Sequence, residues 1–370
     1  MLKDTSLVSD IQKTFMQDKF SYSIGLMSGT SLDGIDLVYV KFNKEKYEDF
    51  QIVKAETVSY SNEWQGRLKE AINWSNEELK KLDVSYGKLL GETLNRFIEK
   101  NNINKIDFIA SHGHTVLHQP NKGITLQVGN GQEIANITKC KIVCDFRTQD
   151  VALGGQGAPL VPIGDELLFS EYEYCINLGG FANVSYKENN KRKAFDICPV
   201  NIVMNHYCRK IGKEYDKNGE LAAAGIVNKE LLNVLNELDF YKKKAPKSLG
   251  LEWVKKVVFP LIDKYELEIP DVLATVVEHT SYQISKVILK EGKLLFTGGG
   301  AYNSYLMNRI KYYLNREIIL QNNELIDYKE ALIFAFLGLL RIENQVNCLK
   351  SVTGAKRNHS SGMIFYPKKN

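Results

Sequence analysis

Apolar and polar positions alternate near residues 22–27, 35–42 and 50–58, the period of a half-buried strand, and the pattern then turns helical. The run Ser75-Asn76-Glu77-Glu78 has the S-x-x-E form of a capping box, so a helix is predicted from there to about Glu99. Strands are expected again at 107–111, near 125–128 and at 141–144. The second half repeats this succession. It predicts strands near 174–178, 182–187 and 193–197, helices near 199–212, 229–239, 252–265 and 271–290, and a short strand over 293–296. Helical spacing resumes through 302–314, and a last apolar helix spans 329–342. Strands alternating with helices give an α/β class with a mostly central sheet. No Pro- or Ser-rich linker separates the halves, so two lobes joined by a tight hinge near 160–172 are expected, with a cleft between them.

Two segments look like copies of one device: GLMSGTSLDGIDLVYV at 25–40 and INLGGFANVSYK at 176–187. Each is an apolar run that reaches a turn of small residues and resumes, the pattern of a β-hairpin with a backbone-rich tip. In the first, Ser28-Gly29-Thr30-Ser31 offers backbone N–H groups and hydroxyls to an anion such as a phosphate. Asp33 and Asp36 follow at once, and carboxylates beside a phosphate imply a divalent cation, Mg²⁺, between them. An ordinary polar hairpin is the competing reading. The second tip supplies Gly179, Gly180 and Asn183 but no charge. Gly298-Gly299-Gly300 is a third glycine turn, between a strand and a helix start, where amides and the helix dipole favour negative charge or a nucleobase-ribose edge. There is no GxxxxGK[ST], and Gly129-Asn130-Gly131 lacks the third glycine of a dinucleotide fingerprint.

At 370 residues the chain is long enough for about two domains. Its net charge of +4 is small and its basic residues are interleaved with acidic ones, so nothing asks for nucleic acid. No apolar stretch reaches the roughly 18 residues of a membrane span. The amino terminus carries Asp4, Asp10 and Asp18 without an apolar core, unlike a secretion signal, and a cytoplasmic location is expected. Six dispersed cysteines with no CxxC pair fit reduced thiols.

The strand predicted at 141–144 ends at Asp145-Phe146-Arg147, followed by Asp150 and the loop Gly154-Gly155-Gln156-Gly157-Ala158-Pro159. The carboxyl end of a strand is where α/β folds place chemistry, and Asp145 is the candidate general base, held ionised by Arg147 or a metal. A structural Asp145–Arg147 pair that shapes the loop is the alternative. His112 and His114, two apart on a strand, share a face and suggest a different class, a metal-dependent hydrolase with His118 or Asp145 completing the shell. A core or substrate-contacting histidine is the simpler reading. Glu330 opens the last long helix, where an acid is usually a dipole partner.

Together these residues resemble the anhydro-N-acetylmuramic acid kinases, in the superfamily of hexokinase, actin and the heat-shock ATPases. The resemblance runs from about Ser23 to Tyr366 through MSGTSLDGID (27–36), SHGHTVLHQP (111–120), DFRTQDVALGGQGAPLVP (145–162), INLGGFANVS (176–185), TGGGAYN (297–303) and SVTGA (351–355). It implies an actin/hexokinase-like (ribonuclease H-like) fold with an ATP cleft between lobes. After an extension at 1–21, lobe I would span 22–165, rejoined by 345–370, and lobe II 166–344. Gly29, Thr30, Ser31, Leu32, Asp33, Gly34, Ile35 and Asp36 would form the first phosphate loop, with Mg²⁺ at Asp33, and 177–183 the second. Gly298–Gly300 would lie near adenosine, Asp145 would be the base, and His112, Arg147, Gly155, Gln156 and Glu330 would meet the sugar. The implied reaction takes 1,6-anhydro-N-acetylmuramic acid, ATP and water to N-acetylmuramic acid 6-phosphate and ADP, a step in peptidoglycan sugar recycling. A nucleotide-dependent conformational switch on the same fold is the alternative, and a homodimer is compatible with either. The chain departs from the family at Cys198-Pro199-Val200-Asn201, where GPGN is common, and at His114, where glutamine often stands.

Overall fold

The computed structural model describes residues 19–29 and 32–368. Thr30 and Ser31 of the first tip, and residues 1–18 of the expected extension, lie outside the described residues. The chain divides into two compact units, one running to Leu168 and resuming at Tyr328, the other spanning Phe169–Asp327.

In the first unit β1 (Phe20–Ser28), β2 (Gly34–Asn43) and β3 (Phe50–Ser59) form an antiparallel meander. β4 (Phe108–Gln119) lies parallel beside β1, β5 (Ile124–Val128) pairs antiparallel with β4, and β6 (Ile142–Cys144) is parallel to β4. The carboxyl-terminal strand Met363–Phe365 closes the far edge antiparallel to β6. Helix α1 (Asn76–Lys100) begins at the predicted capping box, with the Glu78 N–H donating to Ser75 Oγ and the Ser75 N–H to Glu78 Oε2. Its stripe of Leu79, Leu82, Tyr86, Leu90, Leu94 and Phe97 has helical spacing and is buried with Ile24, Leu26 and Ile109 of the sheet. Helix α2 (Gly131–Thr138) packs beside α1 and adds Ile134 and Ala135 to the same core.

The second unit repeats this plan. β7 (Tyr172–Leu178), β8 (Phe181–Glu188) and β9 (Lys191–Pro199) form an antiparallel meander, and β10 (Lys293–Thr297) lies parallel beside β7. The order β10-β7-β8-β9 is thus the order β4-β1-β2-β3 over again. Helices α3 (Asn201–Lys210), α4 (Ile269–Val287) and α5 (Ser304–Leu314) bury Val203, Val276 and Leu306 in a separate core. The region expected to be one helix over 252–265 contains a π-helical turn, Val254–Val258. A 3₁₀ turn, Gly299–Tyr302, separates the glycine run from α5, which is capped by Asn303 Oδ1 accepting the Leu306 N–H at 2.9 Å.

Helix α6 (Asn323–Ile342) starts earlier than its apolar pattern suggests, and the division between units falls within it. Residues 328–344, expected with the second lobe, belong to the first unit. The reason is close packing: a Cβ added at Gly25 of β1 would meet the Ala331 carbonyl oxygen at 2.1 Å, and one added at Gly338 would meet Ala110 and Phe108 at 2.7 Å. Only glycines let helix and sheet backbones approach so closely. No helix among the described residues is long and apolar enough to cross a membrane, and all six cysteines are free thiols.

Gly25→Ala is expected to destabilise the protein by roughly 1–3 kcal/mol or more through overpacking. Gly66→Ala, in the helix Asn62–Glu70 and at a position where an added Cβ meets nothing within 4 Å, should instead gain about 0.5–1 kcal/mol of helix propensity. Urea midpoints of the two variants check this contrast.

Candidate active site

Three parallel strands of the first unit, β1, β4 and β6, end on the same edge, with Ser28 opposite His114 and Ala110 opposite Val143. Chain reversals at the carboxyl ends of such strands leave backbone and side chains free for chemistry. Asp145 follows β6 directly in a left-handed conformation, φ 57°, which an aspartate tolerates better than most residues. Its half-buried carboxylate accepts a long 3.4 Å hydrogen bond from the Thr148 N–H at the start of the short helix Thr148–Ala152.

Arg147 is not turned to Asp145 as expected. Its Nε and Nη2 lie 3.1 and 2.9 Å from His112 Nε2, and Nη1 donates to the Gly157 carbonyl at 2.7 Å. A guanidinium has only donors, so His112 Nε2 accepts and the ring proton sits on Nδ1, donated to the Gly113 carbonyl at 2.9 Å. Burial, and then the charge of Arg147, push the His112 pKa well below its ordinary value, which keeps the imidazole neutral. Burial lowers Arg147 to about 10, with the Glu330 carboxylate opposing.

Both nitrogens of His112 are thereby committed, which overturns the metal-dependent hydrolase reading. His114 Nδ1 lies 2.9 Å from Ser28 Oγ. Ser28 Oγ also lies 2.6 Å from the Tyr60 hydroxyl, which is hydrogen-bonded to Tyr86, so a buried polar chain underlies the first hairpin tip. His118 Nδ1 instead meets Thr125 Oγ1.

The glycine loop is braced by Asp150, whose Oδ2 accepts the Gly157 N–H at 2.8 Å and Oδ1 the Thr353 hydroxyl at 2.7 Å. Gly155 is buried against that carboxylate, where a Cβ would approach Asp150 Oδ2 to 2.1 Å. Gln156 donates its N–H to the Thr353 carbonyl and keeps its side chain exposed. Glu330 reaches solvent while surrounding protein desolvates it; this raises its pKa, against the opposing charges of Arg147 and Lys329. The neighbouring Lys329 forms a buried ion pair with Asp165, Nζ to Oδ1 2.6 Å. Sequence reading missed this pair, although a charge at 165 beside Pro162-Ile163-Gly164 and another at 329 beside an apolar helix signal buried ions that need partners.

At the first tip Leu32 is left-handed, φ 61°, and its N–H reaches the Gly29 carbonyl at 3.4 Å. Asp33 is exposed and Asp36 half-buried, with Oδ1 accepting the Thr57 hydroxyl at 2.7 Å. Gly34 and Ile35 belong to the β2 ladder and are buried. Carboxylate and hydroxyl oxygens of this kind suit a hard cation such as Mg²⁺.

In the second unit Thr297 pairs with Asn177, so the tip Gly179-Gly180 and the run Gly298-Gly299-Gly300 leave neighbouring parallel strands together. The carbonyls of Gly179 and Gly180 accept N–H groups of Val200, Asn201 and Ile202, which ties the tip to the start of α3. Asn183 pairs with Asn177 across β7 and β8. Gly299 is exposed, and a Cβ there would find its nearest atom, Asn201 Nδ2, at 3.9 Å.

The sequence model of a family described as anhydro-N-acetylmuramic acid kinase matches residues 21–367. A Shewanella protein named anhydro-N-acetylmuramic acid kinase is 36% identical over 372 residues, covering 94% of this chain and 99% of the relative. A Haemophilus influenzae protein of the same name is 36% identical over 379 residues, covering 94% of this chain and 98% of its own. Among solved structures, the activator of the 2-hydroxyisocaproyl-CoA dehydratase from Clostridium difficile with bound ADPNP aligns at TM-score 0.44 and 15% identity, over 87% of this chain and 97% of that one.

Burial lowers His114 from 6.5 to about 4. The unfolded chain therefore takes up a proton first as pH falls, and the stability present above pH 6.5 is expected to be lost between 6.5 and 4. His114→Gln should reduce the slope of stability against pH in that window by up to one proton, about 1.4 kcal/mol per pH unit. Urea unfolding at a series of pH values measures it.

Proposed function

We infer the division of labour in this site from one premise: the chain belongs to the anhydro-N-acetylmuramic acid kinase family. It is an ATP-dependent sugar kinase that opens 1,6-anhydro-N-acetylmuramic acid with water and phosphorylates O6, giving N-acetylmuramic acid 6-phosphate and ADP. The observation that carries the residue-level reading is Asp145: a left-handed carboxylate at the end of a parallel strand, with one long hydrogen bond and no ion pair to Arg147. Such a group is free to accept a proton.

In this reading Asp145 takes a proton from the water that attacks C1. The C1–O6 bond breaks and the electron pair passes to O6, which becomes the phosphoryl acceptor, so no separate general acid is required. The water's oxygen stays on C1 as a hydroxyl with its second proton, and the proton taken by Asp145 passes to solvent when the site reopens. Arg147, anchored by neutral His112 and the Gly157 carbonyl, presents fixed positive charge to the sugar. Glu330, less readily ionised than an ordinary glutamate, contacts a sugar hydroxyl. The amides of the 29–36 tip receive phosphate, and the glycine turns of the second unit are the candidate adenosine contacts; transfer is mainly positioning and electrostatics. Mg²⁺ held by Asp33 and Asp36 would neutralise phosphate charge.

With ATP, Mg²⁺ and the anhydro sugar in ¹⁸O-water, the product should carry the label at C1 and none in its phosphate. Asp145→Asn should lower kcat by about 10²–10⁴ or more. Undiminished turnover in that variant removes Asp145 as base, and ATP hydrolysis without sugar turnover points to the conformational switch.

A further inference from the structure

Asp150, which braces the glycine loop, also meets two buried side chains of the carboxyl-terminal segment. Asp150 lies in the short helix Thr148–Ala152, while Cys348 and His359 face each other across an isolated antiparallel bridge of the carboxyl-terminal segment. A carboxylate oxygen of Asp150, Cys348 Sγ and His359 Nε2 lie within 4.8 Å of one another, and all three residues are buried. His359 Nδ1 is 3.1 Å from the Arg357 carbonyl, which can only accept, so the ring proton sits on Nδ1 and Nε2 presents a lone pair. Among the described residues that nitrogen has no hydrogen-bond partner, and it faces Asp150 Oδ1 at 3.5 Å. Two acceptors opposed in the interior repel unless a cation lies between them. A proton would satisfy the pair alone. The sulfur beside them is a third donor, which a proton does not use and a metal ion does.

The geometry points to a buried transition-metal site formed by Asp150, Cys348 and His359, with Zn²⁺ as its ion. Thiolate and imidazole donors suit a borderline cation, whereas Mg²⁺ prefers oxygen. Tetrahedral zinc with Zn–N of about 2.0–2.1 Å and Zn–S of about 2.3 Å sets its donors about 3.4–3.6 Å apart. The His359–Asp150 separation of 3.5 Å already has that value. The outer contacts are also those of a ligated site: Asp150 is held by the Gly157 N–H and the Thr353 hydroxyl, and His359 by the Arg357 carbonyl. On binding, the Cys348 S–H bond breaks, its proton goes to solvent, the sulfur–metal bond forms, and solvent fills the fourth position. The ion ties the carboxyl-terminal segment to the loop that carries Asp145 and Arg147.

The test uses the full chain, stripped with chelator and reloaded with Zn²⁺, Co²⁺ or, as control, Mg²⁺. Expected are one Zn²⁺ per chain, a rise in Tm with Zn²⁺ but not Mg²⁺, and a thiolate-to-cobalt charge-transfer band that disappears in Cys348→Ala. His359→Gln should weaken Zn²⁺ binding about tenfold or more. Should that variant fail to fold, the cobalt band still reads the sulfur directly. Substoichiometric Zn²⁺ in the stripped and reloaded protein, or unchanged affinity and spectrum in the variants, leaves only a protonated His359–Asp150 pair and overturns the proposal.

Discussion

A buried guanidinium must find acceptors, and that requirement organises the candidate active site. Arg147 finds them in His112 and in the Gly157 carbonyl. The first works only while His112 is neutral, and burial ensures that it is. The second works only while the glycine loop keeps its path, which Asp150 fixes by accepting the Gly157 N–H. Arg147 is committed to these acceptors, and Asp145, two residues before it, keeps only the long hydrogen bond from the Thr148 N–H.

The two units use the same sheet order for different ends. In each, a meander of three strands is joined by a parallel strand beside the first, so a hairpin tip and a strand end come to one edge. In the first unit that edge carries charge, namely Asp36, Arg147 and Glu330. In the second it carries glycine and asparagine, suited to backbone contacts with a ligand of either polarity. One topology thus sets charged side chains at this edge in one copy and glycine and asparagine in the other.

Much of this was legible in the chain. The meanders, the capping box at Ser75 and Asp145 at a strand end follow from alternation, local hydrogen-bonding capacity and position. What was not legible depends on contacts distant in sequence. Nothing near Arg147 says that its partner is His112, because the partner arrives on a different strand. The assignment of 328–344 to the first unit turns on Gly25 and Gly338, whose missing side chains carry no pattern of their own. The role of Asp150 was hidden likewise, since Thr353 lies two hundred residues on. Local rules read elements well; they do not read which buried charges meet.

The first unit is discontinuous, its two segments separated in the chain by the whole of the second unit. Ser361 donates to the Phe146 carbonyl next to the base, and Asn347 clasps Leu337 and Ser361. During synthesis, which proceeds from the amino end, the strands carrying Asp145 emerge long before these clasps exist. The second unit is contiguous and can collapse first, while the first must wait with its edge strand unpaired. The nascent chain thus completes the surroundings of Asp145 only after the whole of the second unit has been made.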